Sequence, residues 1–205
     1  MLAALLAVAL AAPPAPADAA ALAREVQAFY ERTRDLEADF VQTYTYAAFG
    51  RTQTSRGTLR VKKPGRLRWD YAEPAPKTIV VNGKRLVQYE PEANQAFVDD
   101  RFDLSAASAA VTFLIGTGSL EREFHLASDP EGRLVLTPRT PDARVERVVL
   151  TVGPRGEVTA TRVVDASGNV NQIAFHHLRR DVGIPDSAFE LQLPGDVHRI
   201  TAGQP

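Results

Sequence analysis

Large apolar side chains alternate with charged ones along residues 57–71, and this run has the clearest capacity for binding chemistry. The apolar positions are Leu59, Val61, Leu67, Trp69 and Tyr71. A period of two predicts two half-buried strands, joined at residues 63–65, with their large side chains pointing inward. Such a face binds by excluding water. At ~25 cal/mol per Å², burial of a few hundred Å² of an apolar guest yields several kcal/mol.

The same reasoning predicts an apolar interior built from several strands. Its expected members are Phe40, Leu67, Trp69, Val80, Leu86, Tyr89 and Phe97. In a filled core these side chains would pack against one another, whereas in a hollow sheet they would face an apolar guest. Periodicity does not decide between the two interpretations, so both stay open at this stage.

Catalytic patterns are missing from the chain. It has no Gly-x-Ser-x-Gly motif, no His-Glu-x-x-His motif and no cysteine. The histidines lack metal-binding spacing, since His176 and His177 are neighbours on a predicted strand and should point to opposite faces. We therefore expect no metal, no cofactor and no enzymatic activity. An enzyme would need polar groups converging within the sheet, for which Tyr44, Tyr46, Tyr89 or His176 are the candidates.

The N-terminal residues indicate an exported protein, and the net charge argues against binding to nucleic acid. Hydrophobic residues make up 44% and charged residues 24%, and the formal net charge of −1 offers no basic excess for binding nucleic acid. An Ala- and Leu-rich run followed by prolines and small residues predicts a secretory signal peptide over residues 1–17. The run is too short to span a bilayer. We expect residues 18–205 to form one domain.

Strands dominate the predicted secondary structure after an N-terminal helix over residues 19–34, which Asp18 should cap. The expected strands span residues 36–46, 53–62, 66–71, 78–81, 85–89, 95–100, 122–127, 133–138, 144–152, 158–165, 170–180 and 189–193. Asn82-Gly83 is typical of a type I′ hairpin turn. Eleven or twelve short antiparallel strands predict a sandwich or a barrel.

An Ala-rich apolar segment interrupts the strands and predicts a helix that ends at Gly116. Its apolar stripe consists of Leu104, Ala107, Ala110, Val111 and Leu114. A helix of this character in a β-rich chain must cover apolar surface. Either it plugs the barrel mouth permanently or it moves, and composition leaves both possibilities open.

Several pieces of the sequence, in this order, resemble the LolA family of periplasmic lipoprotein carriers. They are residues 36–42 (LEADFVQ), 57–64 (GTLRVKKP), 67–71 (LRWDY), Val81-Asn82-Gly83 with Tyr89-x-Pro91, Phe113-Leu114, Leu134-x-Leu136-x-Pro138, and Ile184-Pro185 through Phe189 to Pro194. The similarity covers nearly all of the chain after the predicted signal peptide. The Val-Lys-Lys-Pro block followed by Trp69 is its most specific part.

The resemblance implies a mainly β (α+β) fold, an incomplete antiparallel barrel of about eleven strands that encloses an apolar cavity. Its helical lid would include Leu104, Ala107, Val111 and Leu114. It also implies a periplasmic chaperone, here expected to be a monomer. Such a carrier takes acylated lipoproteins from an inner-membrane ABC transporter, shields their acyl chains, and delivers them to an outer-membrane acceptor of the LolB type.

Within this family a basic residue just before the proline latches the lid. The matching residue is Lys63, where the best-known members have arginine. Lysine offers a point charge rather than a planar fork of donors, so its latch should be weaker or differently placed. A solvated turn is the alternative interpretation of Lys63.

Relatives with this fold carry other lipids or serve as envelope sensors, so the fold alone does not settle the function. The acceptor LolB is itself a lipoprotein, and the missing cysteine argues against that assignment. A carrier of another lipid, or a sensor or binding module with a filled core, is therefore the alternative function.

Overall fold

The computed structural model describes residues 18–102 and 118–202. Helix α1 spans Ala19–Arg32, and the Asp18 carboxylate caps it by accepting a hydrogen bond from the Ala20 amide at 2.9 Å. The buried stripe of α1 includes Val26, Phe29 and Tyr30, which confirms the predicted amphipathic helix and its cap. The helix ends two residues earlier than expected, before Thr33.

Twelve strands and one helical turn follow α1. They are β1 (Asp35–Tyr46), β2 (Arg51–Lys62), β3 (Arg66–Glu73), β4 (Lys77–Asn82), β5 (Arg85–Glu90), β6 (Gln95–Asp99), α2 (Leu120–Glu123), β7 (Phe124–Ser128), β8 (Leu134–Pro138), β9 (Arg147–Val152), β10 (Val158–Val164), β11 (Val170–Arg180) and β12 (His198–Thr201). Single 3₁₀ turns span Ala47–Phe49, Pro91–Ala93 and Asp186–Phe189.

All twelve strands belong to one sheet in the order β12-β6-β5-β4-β3-β2-β1-β11-β10-β9-β8-β7. Every neighbouring pair is antiparallel except β12 with β6. A twisted sheet of this width curls rather than staying flat. Within the described residues its edge strands, β12 and β7, do not pair with each other. The predicted fold class, an incomplete antiparallel barrel, is confirmed.

The two faces of the sheet differ in character. The inner face, which we define as the side that packs with α1, is apolar. Its buried members include Leu36, Ala38 and Phe40 on β1, Leu59 and Val61 on β2, Leu67 on β3, Val81 on β4, Leu134 and Leu136 on β8, Val148 and Leu150 on β9, and Phe175 on β11. The opposite, outer face carries ion pairs such as Glu37 with Arg60 and Asp70 with Arg68, both at 2.7 Å.

Two strands begin two or more residues later than the sequence predicts, for local reasons. The strand expected from Arg122 begins at Phe124, because Leu120–Glu123 forms a helical turn. The strand expected from Arg144 begins at Arg147, because the Asp142 carboxylate accepts a hydrogen bond from the Arg144 amide and holds a turn there.

The prediction that His176 and His177 point to opposite faces is wrong. His177 has a positive φ of 51°, and the pairing of β11 with β1 shifts register beside it. Phe175 and Leu178 both pack with the inner core, so the two histidines between them are exposed on the outer side. The extra residue of a bulge interrupts the alternation that regular strand geometry requires.

The prediction of a strand over residues 189–193 is also wrong. Phe189 ends a 3₁₀ turn, and residues 190–193 pair with none of the twelve described strands, because Ile184 and Phe189 are buried against Val80 on the outer face of β4. The last strand is β12, which adds to the sheet edge alongside β6. The C-terminal segment, residues 184–191, therefore covers part of the outer face before the chain reaches the edge of the sheet as β12.

Candidate functional site

The centre of the inner face is an aromatic cluster that a glycine makes possible. Phe40 on β1 lies opposite Gly57 on β2, and its ring meets Trp69 and Tyr71 edge-on at centroid distances of 5.2 and 5.0 Å. A Cβ on Gly57 would lie 2.9 Å from the Phe40 ring and 1.9 Å from the Asp70 carbonyl oxygen. The missing side chain therefore provides the space that the Phe40 ring occupies.

Five of the seven predicted interior residues lie on this face. They are Phe40, Leu67, Trp69, Leu86 and Phe97. Strand pairing aligns Trp69 with Ile79, then with Gln88, then with Phe97, so one row crosses four strands. Phe40, beside the start of the row, is 1% exposed, whereas Phe97 at the end of the row is 36% exposed. The β3–β6 part of the inner face thus presents apolar side chains that the described residues cover only in part.

The prediction that Val80 and Tyr89 share this interior is wrong. The register pairs Val80 with Val87 and Thr78 with Tyr89, which places both residues on the outer face. Val80 packs against Ile184 and Phe189 of the C-terminal segment. Because that segment gives β4 a second apolar environment, the Ile-Val-Val run is hydrophobic on both faces. Alternation in the sequence therefore could not identify the inner side of β4.

One end of the inner face is polar. The Gln42 side chain donates to Asn171 Oδ1 at 2.9 Å and shares a hydrogen bond with Tyr71. Burial raises the pKa of Tyr71 to about 12, so its hydroxyl stays neutral. The Lys77 ammonium lies 4.5 Å from the centre of the Tyr71 ring. Gln42 and Asn171 were not predicted, although Gln42 follows Phe40 at the strand period and so belongs to the same face.

Lys63 lies at the other end, against the C-terminus of α1. Its ammonium donates to the Tyr30 carbonyl and lies 3.5 Å from the Glu31 carbonyl, while its amide donates to the Arg34 carbonyl at 2.9 Å. A cation here satisfies terminal carbonyls and complements the helix dipole. Burial lowers the pKa of Lys63, an effect that Glu31 and Asp181 partly offset. Lys63 is therefore bonded to α1 rather than fully solvated.

The neighbouring lysine holds a different segment. The Lys62 ammonium donates to the Ile184 carbonyl at 2.6 Å and to the Asp186 carboxylate at 2.6 Å. The hydrogen bond with Lys62 lowers the pKa of Asp186. Two adjacent lysines thus bind two separate elements, since Lys63 binds the end of α1 and Lys62 binds the C-terminal segment. This difference makes Lys62 a natural control for Lys63.

Helix α1 covers the β7–β9 part of the inner face. Its buried Phe29 and Tyr30 rings meet edge-on at 5.2 Å, and the Arg180 guanidinium lies 5.1 Å from the Phe29 ring. Gly156 in the β9–β10 turn approaches the Glu25 carbonyl so closely that a Cβ would lie 2.5 Å from that oxygen. The expected lid residues Leu104, Ala107, Val111 and Leu114 lie outside the described residues.

The four side chains that an enzyme would use divide between the two faces. Tyr44 and Tyr46 lie on the inner face with their ring centroids 4.6 Å apart, whereas Tyr89 and His176 lie on the outer face. Across residues 18–102 and 118–202, no three His, Asp or Glu side chains are placed to hold a metal ion. In the same ranges no helix has both the length and the apolar character to cross a membrane. The inner face is lined mainly by apolar side chains.

Comparison with known proteins identifies a family match. Residues 31–192 match the model of the outer membrane lipoprotein carrier protein LolA. An outer-membrane lipoprotein carrier protein of Alkalilimnicola ehrlichii is 33% identical over 95% of this chain and 90% of its own length. A protein of the same name from Dechloromonas aromatica is 30% identical over 81% of each chain.

Two solved structures share the fold at low sequence identity. An uncharacterized conserved protein from Thermus thermophilus has a TM-score of 0.54 at 12% identity, covering 89% of this chain and 98% of that protein. The Pseudomonas aeruginosa MucA/MucB complex contains a chain with a TM-score of 0.50 at 16% identity, covering 86% of this chain and 62% of that one. These similarities concern the fold alone.

Proposed function

The chain belongs to the LolA family of outer membrane lipoprotein carrier proteins, and from this premise we propose that its inner face receives the acyl chains of lipoproteins. The observation that carries the proposal is the row from Trp69 to Phe97 beside the Phe40 cluster, which is apolar apart from Gln88 and only partly covered at its Phe97 end. At ~25 cal/mol per Å², covering about 300 Å² of acyl surface would contribute about 7 kcal/mol, which is enough for carriage without chemistry.

Loading requires that the apolar surface be uncovered. We propose that α1 and the segment with Leu104, Ala107, Val111 and Leu114 form the lid that acyl chains displace. Lys63 supports this role for α1, because its ammonium joins the β2–β3 turn to the terminal carbonyls of the helix. Opening would exchange these bonds for contacts between the acyl chain and the inner face. Transfer then follows from differences in affinity between the closed and open states.

The cellular setting of the carrier is part of the same proposal. Residues 1–17 would direct export and be removed, and residues 18–205 would act in the periplasm as one monomeric domain. The donor would be an inner-membrane ABC transporter that releases lipoproteins, and the recipient an outer-membrane acceptor of the LolB type. The carrier itself has no need of a nucleotide, because a small difference in apolar contact can drive release.

Native mass spectrometry of the protein purified from its own periplasm tests the proposal directly. We expect acylated protein cargo in the wild type, together with release of lipoproteins from inner-membrane vesicles. Phe97→Glu places a charge on the inner face and should abolish both activities. Tyr89→Glu is the matched control on the outer face and should preserve them.

Two results would contradict the carrier function. One is a cargo-free wild type that also fails to release lipoproteins and takes up no hydrophobic dye, which would indicate a binding module with a filled core. The other is equal loss of cargo in the Phe97 and Tyr89 variants, because the two faces would then be equivalent.

A further inference from the structure

Trp69 is the single tryptophan of the chain and lies at the centre of the inner face. Strand pairing places it between Leu59 on β2 and Ile79 on β4. Its ring meets Phe40 edge-on at 5.2 Å and stacks with Tyr71 at 6.4 Å, with an angle of 21° between the planes. These contacts fix the position of the indole within a largely apolar surface.

The indole nitrogen of Trp69 is buried without a hydrogen-bond partner among residues 18–102 and 118–202. Indole N–H is a donor only, so it cannot be satisfied except by an acceptor. Buried donors without partners are rare in native proteins, because desolvation of the N–H is then uncompensated. A phenylalanine would fill much of the same apolar space at no such cost, which indicates a use for the donor that the described residues do not show.

We propose that the Trp69 indole N–H donates a hydrogen bond to the carbonyl oxygen at the head of a cargo acyl chain. This inference rests on the proposed function, since it concerns the same inner face. An acyl chain is aliphatic except at its ester or amide carbonyl, which accepts hydrogen bonds and donates none through its oxygen. With the carbonyl at Trp69, the tail would lie against Leu59 and Ile79. The bond would form once the side chains that bury the nitrogen have been displaced.

The hydrogen bond would fix the depth of the acyl chain, whereas apolar contact alone would leave the chain free to slide. It would also distinguish acyl chains from alkyl chains of equal length. Specificity of this kind arises when a buried polar group would otherwise stay unpaired.

The test compares two lipopeptides of equal chain length, one with ester-linked acyl chains and one with ether-linked alkyl chains. We expect wild-type protein to bind the ester form about 3- to 10-fold more tightly, which is the usual worth of one net hydrogen bond. Trp69→Phe retains an aromatic ring but lacks the donor, so it should bind both forms equally. Fluorescence of the single tryptophan in the wild type should shift more with the ester form than with the ether form.

Equal affinity of the wild type for both lipopeptides would overturn the inference, as expected if the N–H instead points at the Phe40 ring or is satisfied by another part of the chain. A preference for the ester that persists in Trp69→Phe would overturn it as well. If Trp69→Phe does not fold, the two wild-type titrations and their emission shifts decide the question. Failure of the wild type to bind either lipopeptide would instead contradict the proposed function.

Discussion

Replacing Lys63 by methionine should loosen the closed state by removing the cation at the end of α1. The Lys63 ammonium donates to the Tyr30 carbonyl and lies 3.5 Å from the Glu31 carbonyl. A hydrogen bond from a charged donor is worth about 1.5–3 kcal/mol. The Tyr30 carbonyl keeps a second hydrogen bond, from the Thr33 amide at 3.1 Å. The substitution should therefore destabilise the closed state relative to the open state by about 1–2 kcal/mol, which lowers the closed-to-open ratio by a factor of about 5–30.

Affinity for cargo follows from this ratio. If the closed state dominates, the apparent affinity for an acylated lipopeptide should rise by the same factor of about 5–30. Release to a recipient membrane should slow correspondingly. A fluorescent lipopeptide titrated into each variant measures the affinity, and its transfer to acceptor vesicles measures the release.

Two control variants separate the latch from a general effect of charge. Lys62→Met removes the adjacent ammonium, which binds Ile184 and Asp186 rather than α1, and should leave lipopeptide affinity unchanged. Lys63→Arg keeps a cation that can reach two carbonyls. Its affinity for lipopeptide should therefore equal that of the wild type or be lower. Equal affinities for Lys63→Met, Lys62→Met and the wild type would refute the latch.

Three further predictions concern the fold that supports the inner face. Phe40→Ala should lower the free energy of unfolding by about 3–5 kcal/mol, measured by urea denaturation, because Phe40 is 1% exposed. Gly57→Ala should lower it by about 1–3 kcal/mol or more, since its Cβ would overlap the Asp70 carbonyl; a wild-type melting temperature would contradict the close packing. The hydrogen bond from Arg60 lowers the pKa of Glu37 below its ordinary value, so the stability that Glu37 contributes is present above the ordinary glutamate pKa and is lost as the pH falls through the lowered pKa. Glu37→Gln should therefore show a smaller loss of urea resistance between pH 6 and about pH 3 than the wild type, and identical losses would be inconsistent with this pairing.

Much of the sheet could be predicted from the sequence because one face is apolar and the other charged. The alternation at Leu67 and Trp69 identified β3 and its inner side, and β11 was predicted with its observed limits. Asp18 was recognised as a cap because a carboxylate immediately before an apolar helical stripe has one favourable role. These features depend on neighbours in the chain, which is why periodicity is sufficient to find them.

Features that depend on distant partners were beyond local reasoning. Val80 lies on the outer face because the C-terminal segment, about 100 residues later, gives β4 a second apolar environment. Tyr89 lies on the outer face because it is three residues after the inward-facing Leu86 on the same strand. The sequence predicts a strand beginning at Phe189, whereas Phe189 ends a 3₁₀ turn and is buried beside Val80. The sequence allows two interpretations of Lys63, a latch and a solvated turn, because no spacing in the sequence links Lys63 to the Tyr30 carbonyl.

Photo-crosslinking from the acyl chain tests the central claim most directly. A lipopeptide with a diazirine in its acyl chain would be bound, irradiated, and the modified residues identified by mass spectrometry. Acyl chains held on the inner face should label Phe40, Trp69 and Phe97, with labelling suppressed by unmodified lipopeptide. Labelling confined to the outer-face residues Val80 and Tyr89, or labelling that competitor does not reduce, would contradict the account.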